Sequence, residues 1–261
     1  MATSNAPLSI STVTLIAKNR DKLADFYRSA LGLNTLFDDG ETLTLGQADT
    51  PLLKLIEDRH AKTRTREAGL FHTAFLLPSR AHLGVWLKHA AETGIVIEGM
   101  ADHSVSEAIY LSDPEGNGIE VYADRDRALW HLDGDVIKID TKPLNTDSLW
   151  RASSKMHDWS AMPSGSVIGH VHLQVGDLSQ ADDFYQNELG FDRMMNMASA
   201  SFYGSGGYHH HLAGNIWQSK GAGPRSEGTA GLHEIEIASD IARFADVDLV
   251  DPWGIRLHIS Q

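Results

Sequence analysis

The residues of this chain that could do chemistry are mainly histidines. The 261 residues include 14 histidines and no cysteine, so any metal site must be built from imidazole and carboxylate ligands. Histidines cluster at residues 169–173 (Gly-His-Val-His-Leu) and 208–211 (Tyr-His-His-His). Glu120 and His258 each stand between two apolar residues, an alternation that places a polar side chain on one face of a strand. Such groups converging in a cavity would suit divalent iron, zinc, nickel or manganese.

Composition restricts the function classes. The 22 Lys and Arg residues against 35 Asp and Glu residues give a net charge of −13, and 42% of the residues are hydrophobic, as in globular proteins. An acidic surface repels phosphate backbones and anionic lipids, so we expect no nucleic-acid partner and no membrane partner. Residues 1–7 are too short and polar for a signal peptide, which favours a cytoplasmic protein.

The chain contains an internal repeat with an offset of 158 residues. Each copy begins with alternating apolar residues typical of a half-buried strand, continues with apolar residues at helical spacing, and has a glycine where the helix should end. The matching segments are residues 13–17 and 171–175, the Phe-Tyr pairs 26–27 and 184–185, and the Leu-Gly-hydrophobic triplets 31–33 and 189–191.

A second strand–helix–strand–strand–strand unit follows each copy. The first is predicted to have a strand at 70–75, a helix at 79–92 closed by Gly94, and strands at 96–98, 108–111 and 119–122, with an Asp-Pro-Glu-Gly turn at 113–116. Residues 231–237 and the Asp-Pro-Trp-Gly turn at 251–254 mark the other. The distance from His72 to Glu120 is nearly twice that from His233 to His258, so this last unit is predicted to be shortened, with its helix reduced to a turn at 241–244.

These units divide the chain into three predicted regions. An N-terminal module covers residues 7–123, a crossover segment covers 124–166, and a C-terminal module covers 167–261. The crossover contains three tryptophans, Trp130, Trp150 and Trp159, and this much aromatic surface is not typical of a flexible linker. We therefore expect the crossover to pack against both modules.

The four units and the segment 110–120 (Tyr-Leu-Ser-Asp-Pro-Glu-Gly-Asn-Gly-Ile-Glu) resemble the vicinal oxygen chelate superfamily. That superfamily includes extradiol (catechol 2,3-) dioxygenases, glyoxalase I, fosfomycin-resistance enzymes and bleomycin-binding proteins. The closer likeness is to two-module catechol-2,3-dioxygenase-like proteins, whose motifs residues 169–173 and 208–211 resemble. The resemblance implies an α+β fold in which four βαβββ units form two half-barrel modules. It is specific for fold and weak for reaction, because one fold hosts several chemistries.

The resemblance also implies four ligand positions in each module, on the first and last strands of its units. The N-terminal module places Thr12, Lys54, His72 and Glu120 on them. The C-terminal module places His170, His211, His233 and His258 on them, with His209 and His210 competing for the position of His211. The positive charge of Lys54 would repel a cation, so we expect a metal-free N-terminal module and one metal in the C-terminal module.

The predicted metal ligands are therefore His170, His233 and His258. His211 is predicted to be a fourth ligand or an acid/base residue, and His209 and His210 are the other catalytic candidates. Because a ligand imidazole must be neutral, metal affinity is expected to collapse below about pH 6.

Extradiol dioxygenases, as the resemblance implies, hold Fe(II) with two histidines and one glutamate. The glutamate position, seven residues after the Asp of Asp-Pro-X-Gly, is His258 in the C-terminal module but Glu120 in the N-terminal module. The tyrosine three residues before that Asp is Asp248 in the C-terminal module and Tyr110 in the N-terminal module. A three-histidine face is one unit more positive than the usual triad, which does not forbid Fe(II) oxygen chemistry but shifts the balance toward a non-redox metal or lost activity.

Three functions remain open. The leading one is a metal-dependent extradiol-type oxidoreductase that cleaves a small aromatic (catecholic) substrate with O₂, with Fe(II) as the first choice of metal and Zn, Ni or Mn as alternatives. The second is a glyoxalase-like metal-dependent isomerase or lyase, favoured if His211 completes four ligands. The third is a non-catalytic small-ligand-binding protein. The family likeness also implies a homo-oligomer.

Overall fold

The computed structural model describes residues 6–63, 67–133 and 136–261. The predicted absence of a signal peptide concerns residues 1–7, and residues 1–5 lie outside the described part of the chain. Within the described part of the chain, no helix is both long enough and apolar enough to cross a membrane.

All four predicted units are present. The first contains β1 (Leu8–Ala17), α1 (Arg20–Leu31), β2 (Asn34–Asp38), β3 (Thr42–Gln47) and β4 (Thr50–Glu57). The second contains β5 (Gly69–Leu76), α2 (Arg80–Thr93), β6 (Gly99–Asp102), β7 (Ser106–Ser112) and β8 (Gly118–Asp124).

A crossover segment then precedes the other two units. It contains a 3₁₀ turn (Arg127–Leu129), β9 (Leu132–Asp133), β10 (Val136–Ile137) and α3 (Thr146–Ser153). The third unit contains β11 (Val167–Gln174), α4 (Leu178–Asp182) with a π-helical continuation (Asp183–Glu188), β12 (Asp192–Met197), β13 (Ala200–Gly204) and β14 (Leu212–Asn215). The fourth contains β15 (Gly231–Ser239), a 3₁₀ turn (Ala242–Phe244), β16 (Val247–Val250) and β17 (Arg256–Ser260).

The helix boundaries follow the local sequence signals. The side chains of Asn19 and Ser79 accept hydrogen bonds from backbone N–H groups at the start of α1 and α2, which satisfies donors that a helix leaves unpaired. Gly32 and Gly94 end these helices in the left-handed conformation, with φ of 69° and 73°. The strand predicted at 96–98 is wrong, because pairing begins at Gly99, opposite Tyr110, and Val96 is exposed.

The strands form two large sheets. One has seven strands in the order β16-β17-β15-β1-β4-β3-β2, and the other has eight in the order β12-β13-β14-β11-β5-β8-β7-β6. We call them the seven-stranded and eight-stranded sheets. The predicted α+β fold of four βαβββ units in two modules is confirmed, but each sheet combines units from both halves of the chain.

Each sheet takes one unit from either half of the chain. The antiparallel pair β1–β15 joins the first unit to the fourth, and the antiparallel pair β5–β11 joins the second unit to the third. Residues 7–123 therefore contribute strands to both sheets, and so do residues 167–261. Because each sheet contains strands of both halves, a side chain from residues 7–123 can share a site with one from residues 167–261.

The fourth unit is shortened, as predicted. A single 3₁₀ turn, Ala242–Phe244, stands in place of the helix, and three strands stand in place of four. This explains why one sheet has seven strands and the other has eight.

Two buried tyrosine–aspartate hydrogen bonds tie the sheets together. The hydroxyl of Tyr27, on α1, donates to Asp113 Oδ2 at 3.0 Å, and that of Tyr185, on the helix of the third unit, donates to Asp251 Oδ2 at 2.8 Å. Each bond joins a helix packed on one sheet to an Asp-Pro turn of the other. The Phe-Tyr and Asp-Pro motifs thus hold the fold together.

The crossover segment is packed against the rest of the protein. Leu149 and Met162 are buried in the main core, and Trp130 is buried in a small cluster with Tyr208. Backbone hydrogen bonds run in both directions between Lys142 and Asp102 on β6. Of the three tryptophans, Trp150 is about half exposed.

Candidate metal centre and active-site cavity

Three buried side chains of the eight-stranded sheet bring their ligand atoms to one point. His72 Nε2 lies 3.0 Å from Glu120 Oε2 and 3.2 Å from His170 Nε2, and His170 Nε2 lies 3.2 Å from the same Glu120 oxygen. Among the described residues this is the one group of three or more His, Cys, Asp or Glu side chains whose ligand atoms lie within 4.8 Å of one another.

The strand register explains why these residues meet. Ala74 on β5 is paired with His170 on β11 and with Glu120 on β8. Cross-strand partners project from the same face of a sheet, and so does His72, two residues before Ala74. Since Ala74 carries only a methyl group, the three longer side chains can converge above it.

The spacing of the three donors fits one face of an octahedron. Metal–ligand bonds of about 2.1 Å at right angles place neighbouring donors about 3.0 Å apart, whereas tetrahedral angles place them about 3.4 Å apart. The observed separations of 3.0–3.2 Å are closer to the octahedral value. Two imidazoles and one carboxylate on one face are the ligand set of non-haem Fe(II) oxygenases.

The electrostatics keep Glu120 and His170 in the protonation states that metal binding requires. Burial alone would raise the pKa of Glu120, but its interactions with His170 and His72 hold that pKa well below the usual value. Burial lowers the pKa of His170 to about 4, although Glu120 opposes the shift. At neutral pH the site therefore offers a carboxylate and a neutral imidazole, the forms that bind cations.

The expected set of His170, His233 and His258 is not assembled, because the last two lie on the seven-stranded sheet. His258 Nδ1 lies 2.9 Å from Asp248 Oδ1, and this bond raises the pKa of His258 above its usual value. The protonated form that Asp248 favours is the opposite of what a metal ligand needs.

His233 is displaced by one residue from the position expected for it. Thr14 is paired with Glu234 and Leu15 with Leu232, so His233 falls at a β-bulge between them. The matching pair in the other sheet is His172 with His72, so Glu234, and not His233, corresponds to His72. A one-residue shift along a strand reverses the face of a side chain, and His233 lines a separate cavity with Arg225 and Arg256.

Thr12 and Lys54 also lie on the seven-stranded sheet, away from His72 and Glu120. Lys54 forms an ion pair with Glu236, which is paired in register with Thr12 and His258. The C-terminal module was preferred because the charge of Lys54 would repel a cation. Since Lys54 lies on the other sheet, its charge gives no reason to exclude a metal beside His72 and Glu120.

The three consecutive histidines have different surroundings. His211 Nδ1 accepts a hydrogen bond from the backbone N–H of Ser205, and burial lowers the pKa of His211 to about 3. His211 is not part of the ligand cluster. His209 is fully buried, whereas the ring of His210 lies 4.1 Å from that of His170 and lines the cavity. Burial and neighbouring imidazoles hold the pKa of His210 well below its usual value.

A cavity of about 370 Å³ opens over the ligand cluster. No lysine or arginine is among the described residues that line it, and most of its wall is apolar. The apolar part consists mainly of Phe71, Phe202, Trp217, Met195 and Met197. A space of this size and character suits a small, flat, mostly apolar molecule.

Tyr110 and His103 line the cavity beside the cluster. The two side chains are joined by a 2.7 Å hydrogen bond between Tyr110 Oη and His103 Nε2, while His103 Nδ1 lies 2.8 Å from the carbonyl oxygen of Asp140. Burial and the neighbouring Glu120 raise the pKa of Tyr110 well above its usual value, so the phenol keeps its proton at neutral pH.

His172 is a histidine of the cavity wall that was not among the predicted site residues. Its ring lies 5.0 Å from that of His72, its Nε2 atom is buried without a hydrogen-bond partner, and burial holds its pKa well below the usual value. The available signal was its spacing of two from His170, which places both on one face of β11.

Comparison with known proteins gives one family and several structural relatives. Residues 9–121 match the family described as the Glyoxalase/Bleomycin resistance protein/Dioxygenase superfamily. The chain is 38% identical over 230 residues to a catechol-2,3-dioxygenase of Bacillus subtilis (strain 168), covering 85% of this chain and 80% of that protein.

Two solved structures share the fold over most of their length. A putative dioxygenase from Bacillus subtilis matches with a TM-score of 0.61 at 16% identity, covering 96% of this chain and 84% of the other. Glyoxalase I from Zea mays matches with a TM-score of 0.57 at 13% identity, covering 97% of this chain and 92% of the other. At these identities the two structures support the fold alone.

Proposed function

Because the chain belongs to the Glyoxalase/Bleomycin resistance protein/Dioxygenase superfamily, we propose that it is a metal-dependent extradiol-type dioxygenase that cleaves small catechols with O₂. The observation that carries this proposal is the buried triangle of His72, His170 and Glu120, with its 3.0–3.2 Å spacing. The 38% identical catechol-2,3-dioxygenase relative supports the same reaction class.

We assign the metal to His72, His170 and Glu120, with Fe(II) as the first choice of ion. The ion would supply open positions where a catecholate and O₂ meet, and it would lower the pKa of the catechol hydroxyls. A divalent ion and one carboxylate leave one positive charge, which a singly deprotonated catechol neutralises. The proposed face keeps a glutamate, so the concern raised by a three-histidine face does not apply to it.

Two cavity residues are placed to handle protons. His210 is neutral at pH 7 and lies beside His170, so its ring can accept a proton from a bound catechol. Tyr110 keeps its proton and shares it with His103 Nε2 in a 2.7 Å hydrogen bond, so its hydroxyl oxygen can accept a hydrogen bond from a substrate hydroxyl. His210 thus takes the acid/base role for which His209 and His211 were also candidates.

The apolar wall has two roles in this proposal. Phe71 lies edge-on to Trp217 with ring centroids 5.1 Å apart, and Phe202 is 5.1 Å from His210. Rings in these arrangements can contact an aromatic substrate by edge or face. The same groups exclude water, which strengthens the electrostatic interactions inside the site.

No observation on the described residues specifically supports either alternative function. The glyoxalase-like reaction was favoured by a fourth ligand, but His211 lies outside the ligand cluster and its Nδ1 accepts from Ser205. A non-catalytic binding protein has no need for three donors at metal-ligand spacing.

The decisive experiment is anaerobic reconstitution of the purified protein with Fe(II), followed by addition of catechol and air. We expect one O₂ consumed per catechol and a coloured ring-cleavage product. His170→Ala should abolish both signals, and His258→Ala is the matched control because it removes a histidine from the other sheet. An iron-loaded protein that consumes no O₂ with any simple catechol would contradict the proposal.

The expected homo-oligomeric state, cytoplasmic location and absence of nucleic-acid and membrane partners stay predictions. Light scattering at the mass of a monomer would refute the first of these.

A further inference from the structure

A line of hydrogen bonds leads away from the cavity through two of the consecutive histidines. His210 Nδ1 lies 2.8 Å from His209 Nδ1, and His209 Nε2 lies 3.0 Å from Asp124 Oδ1. Asp124 is the last residue of β8, the strand that carries Glu120. It also lines a second cavity, of about 300 Å³, with Arg125 and Arg127. The line therefore joins the candidate active site to a separate cavity.

When both imidazoles are neutral, Asp124 fixes the donor and acceptor roles along this line. A carboxylate is an acceptor only, so the ring nitrogen that faces it, His209 Nε2, must carry a proton. A neutral His209 then has an unprotonated Nδ1, which can only accept. The facing nitrogen, His210 Nδ1, must therefore be the donor, and a neutral His210 is left with an unprotonated Nε2.

We propose that Asp124 is a positioning residue that acts through His209 to keep the ring proton of His210 on Nδ1, so that His210 Nε2 presents its lone pair to the cavity. Among the described residues no hydrogen bond to Nε2 of His210 is present, and the residue lines the cavity. The functional consequence is that Nε2 is the atom of His210 that takes the substrate proton, and this consequence rests on the proposed function.

The proton balance of that step is simple. The O–H bond of a catechol hydroxyl breaks, its electron pair stays on oxygen, and a new N–H bond forms at His210 Nε2. The resulting imidazolium keeps its Nδ1–H bond to His209, which is in turn bonded to the carboxylate of Asp124. A carboxylate placed behind an imidazole in this way orients the ring and stabilises the cation that forms.

The surroundings hold His209 in place. Its ring is fully buried, 4.0 Å from the ring of Tyr208 and 5.3 Å from that of Trp130. Asp124 Oδ1 also accepts from the Tyr208 hydroxyl at 3.1 Å. Removing the Tyr208 hydroxyl deletes its hydrogen bonds to Asp124 and to the Tyr122 hydroxyl but leaves the bond between Asp124 and His209, which makes Tyr208→Phe a matched control.

The direct test is ¹⁵N NMR of the histidine rings in the full chain loaded with Zn²⁺, which is diamagnetic. We expect His210 to be protonated on Nδ1 in the wild type and in Tyr208→Phe. In Asp124→Ala and His209→Phe the constraint is gone, and the proton should move to Nε2 or be shared between the two nitrogens. The phenylalanine preserves most of the ring packing.

Kinetics with catechol and the Fe(II)-loaded protein give a second readout. Asp124→Ala and His209→Phe should lower kcat about 10- to 100-fold, as loss of an outer partner typically does. KM should change less than about threefold and the metal content should stay equal to the wild type, because neither residue is assigned to the metal or the substrate.

The outcomes separate the two proposals. A wild-type His210 protonated on Nε2, or a tautomer that is unchanged in both variants, overturns the positioning role whatever the activity. A His210 protonated on Nδ1 in a protein that cleaves no catechol leaves the positioning role standing and refutes the proposed function.

Discussion

Replacing Glu120 with glutamine should remove the metal from this protein. The substitution preserves the shape of the side chain but deletes the carboxylate charge of the His72–His170–Glu120 cluster. At an effective dielectric constant of about 20, two unit charges about 4 Å apart interact by about 4 kcal/mol, and that energy corresponds to about a thousandfold in Kd. A ligand atom lies closer than this to its ion, and the ion is divalent, so we expect a loss of at least that size.

The measurement is metal content per chain after purification, followed by chelator competition to obtain Kd. His258→Ala is the matched control, because His258 occupies in the seven-stranded sheet the register position that Glu120 occupies in the other. It should retain wild-type metal content. A Glu120→Gln protein with full metal content, together with a metal-free His258→Ala protein, would refute the ligand assignment and restore the set that the sequence suggested.

Four further outcomes are expected. Because burial lowers the pKa of His170 to about 4 from 6.5, dialysis at a series of pH values should show metal retained below about pH 6 and lost as the pH falls through about 4. Over the same range His170 binds a proton in the unfolded chain but not in the metal-free folded chain. The free energy of unfolding of the metal-free protein should therefore fall as the pH is lowered. Tyr185→Phe should lower that free energy by about 1–3 kcal/mol in urea titrations at unchanged metal content, because Asp251 loses a buried donor. Gly169→Ala should cost about 1–3 kcal/mol in the same assay, since an added Cβ would lie 1.7 Å from Tyr122 Oη; an unchanged midpoint would show that Tyr122 moves aside freely.

Much of the fold could be predicted from local patterns. Helices α1 and α2 begin after Asn19 and Ser79 and end at Gly32 and Gly94, because capping depends on residues within one turn of the helix end. The same holds for the Asp-Pro turns and for the shortened fourth unit, which follows from the small number of residues available to it. The hydrophobic period identifies strands and helices, but it does not say which strands are neighbours.

The ligand set depends on two features of the sheets, strand register and strand pairing, that neighbouring residues along the chain do not determine. The first is register. Thr14 pairs with Glu234, as His172 pairs with His72, so His233 lies one residue away from the position expected for it, and an alternating pattern alone does not say which residue lies opposite which. The second is pairing. His170 could meet His233 or His72, depending on whether β11 lies beside β15 or beside β5, and the sequence repeats are compatible with both arrangements.

The sequence by itself determined the four units, their caps, the family and the residue types of a metal site, because each of these is set by neighbours along the chain or by a motif. Only the tertiary structure decided that the second unit pairs with the third, and hence that His72 and Glu120 join His170. The physical reason is that similar units have similar strand edges with the same backbone donors and acceptors. The choice among them is made by packing of the whole chain, including the crossover segment and the two tyrosine–aspartate bonds between the sheets.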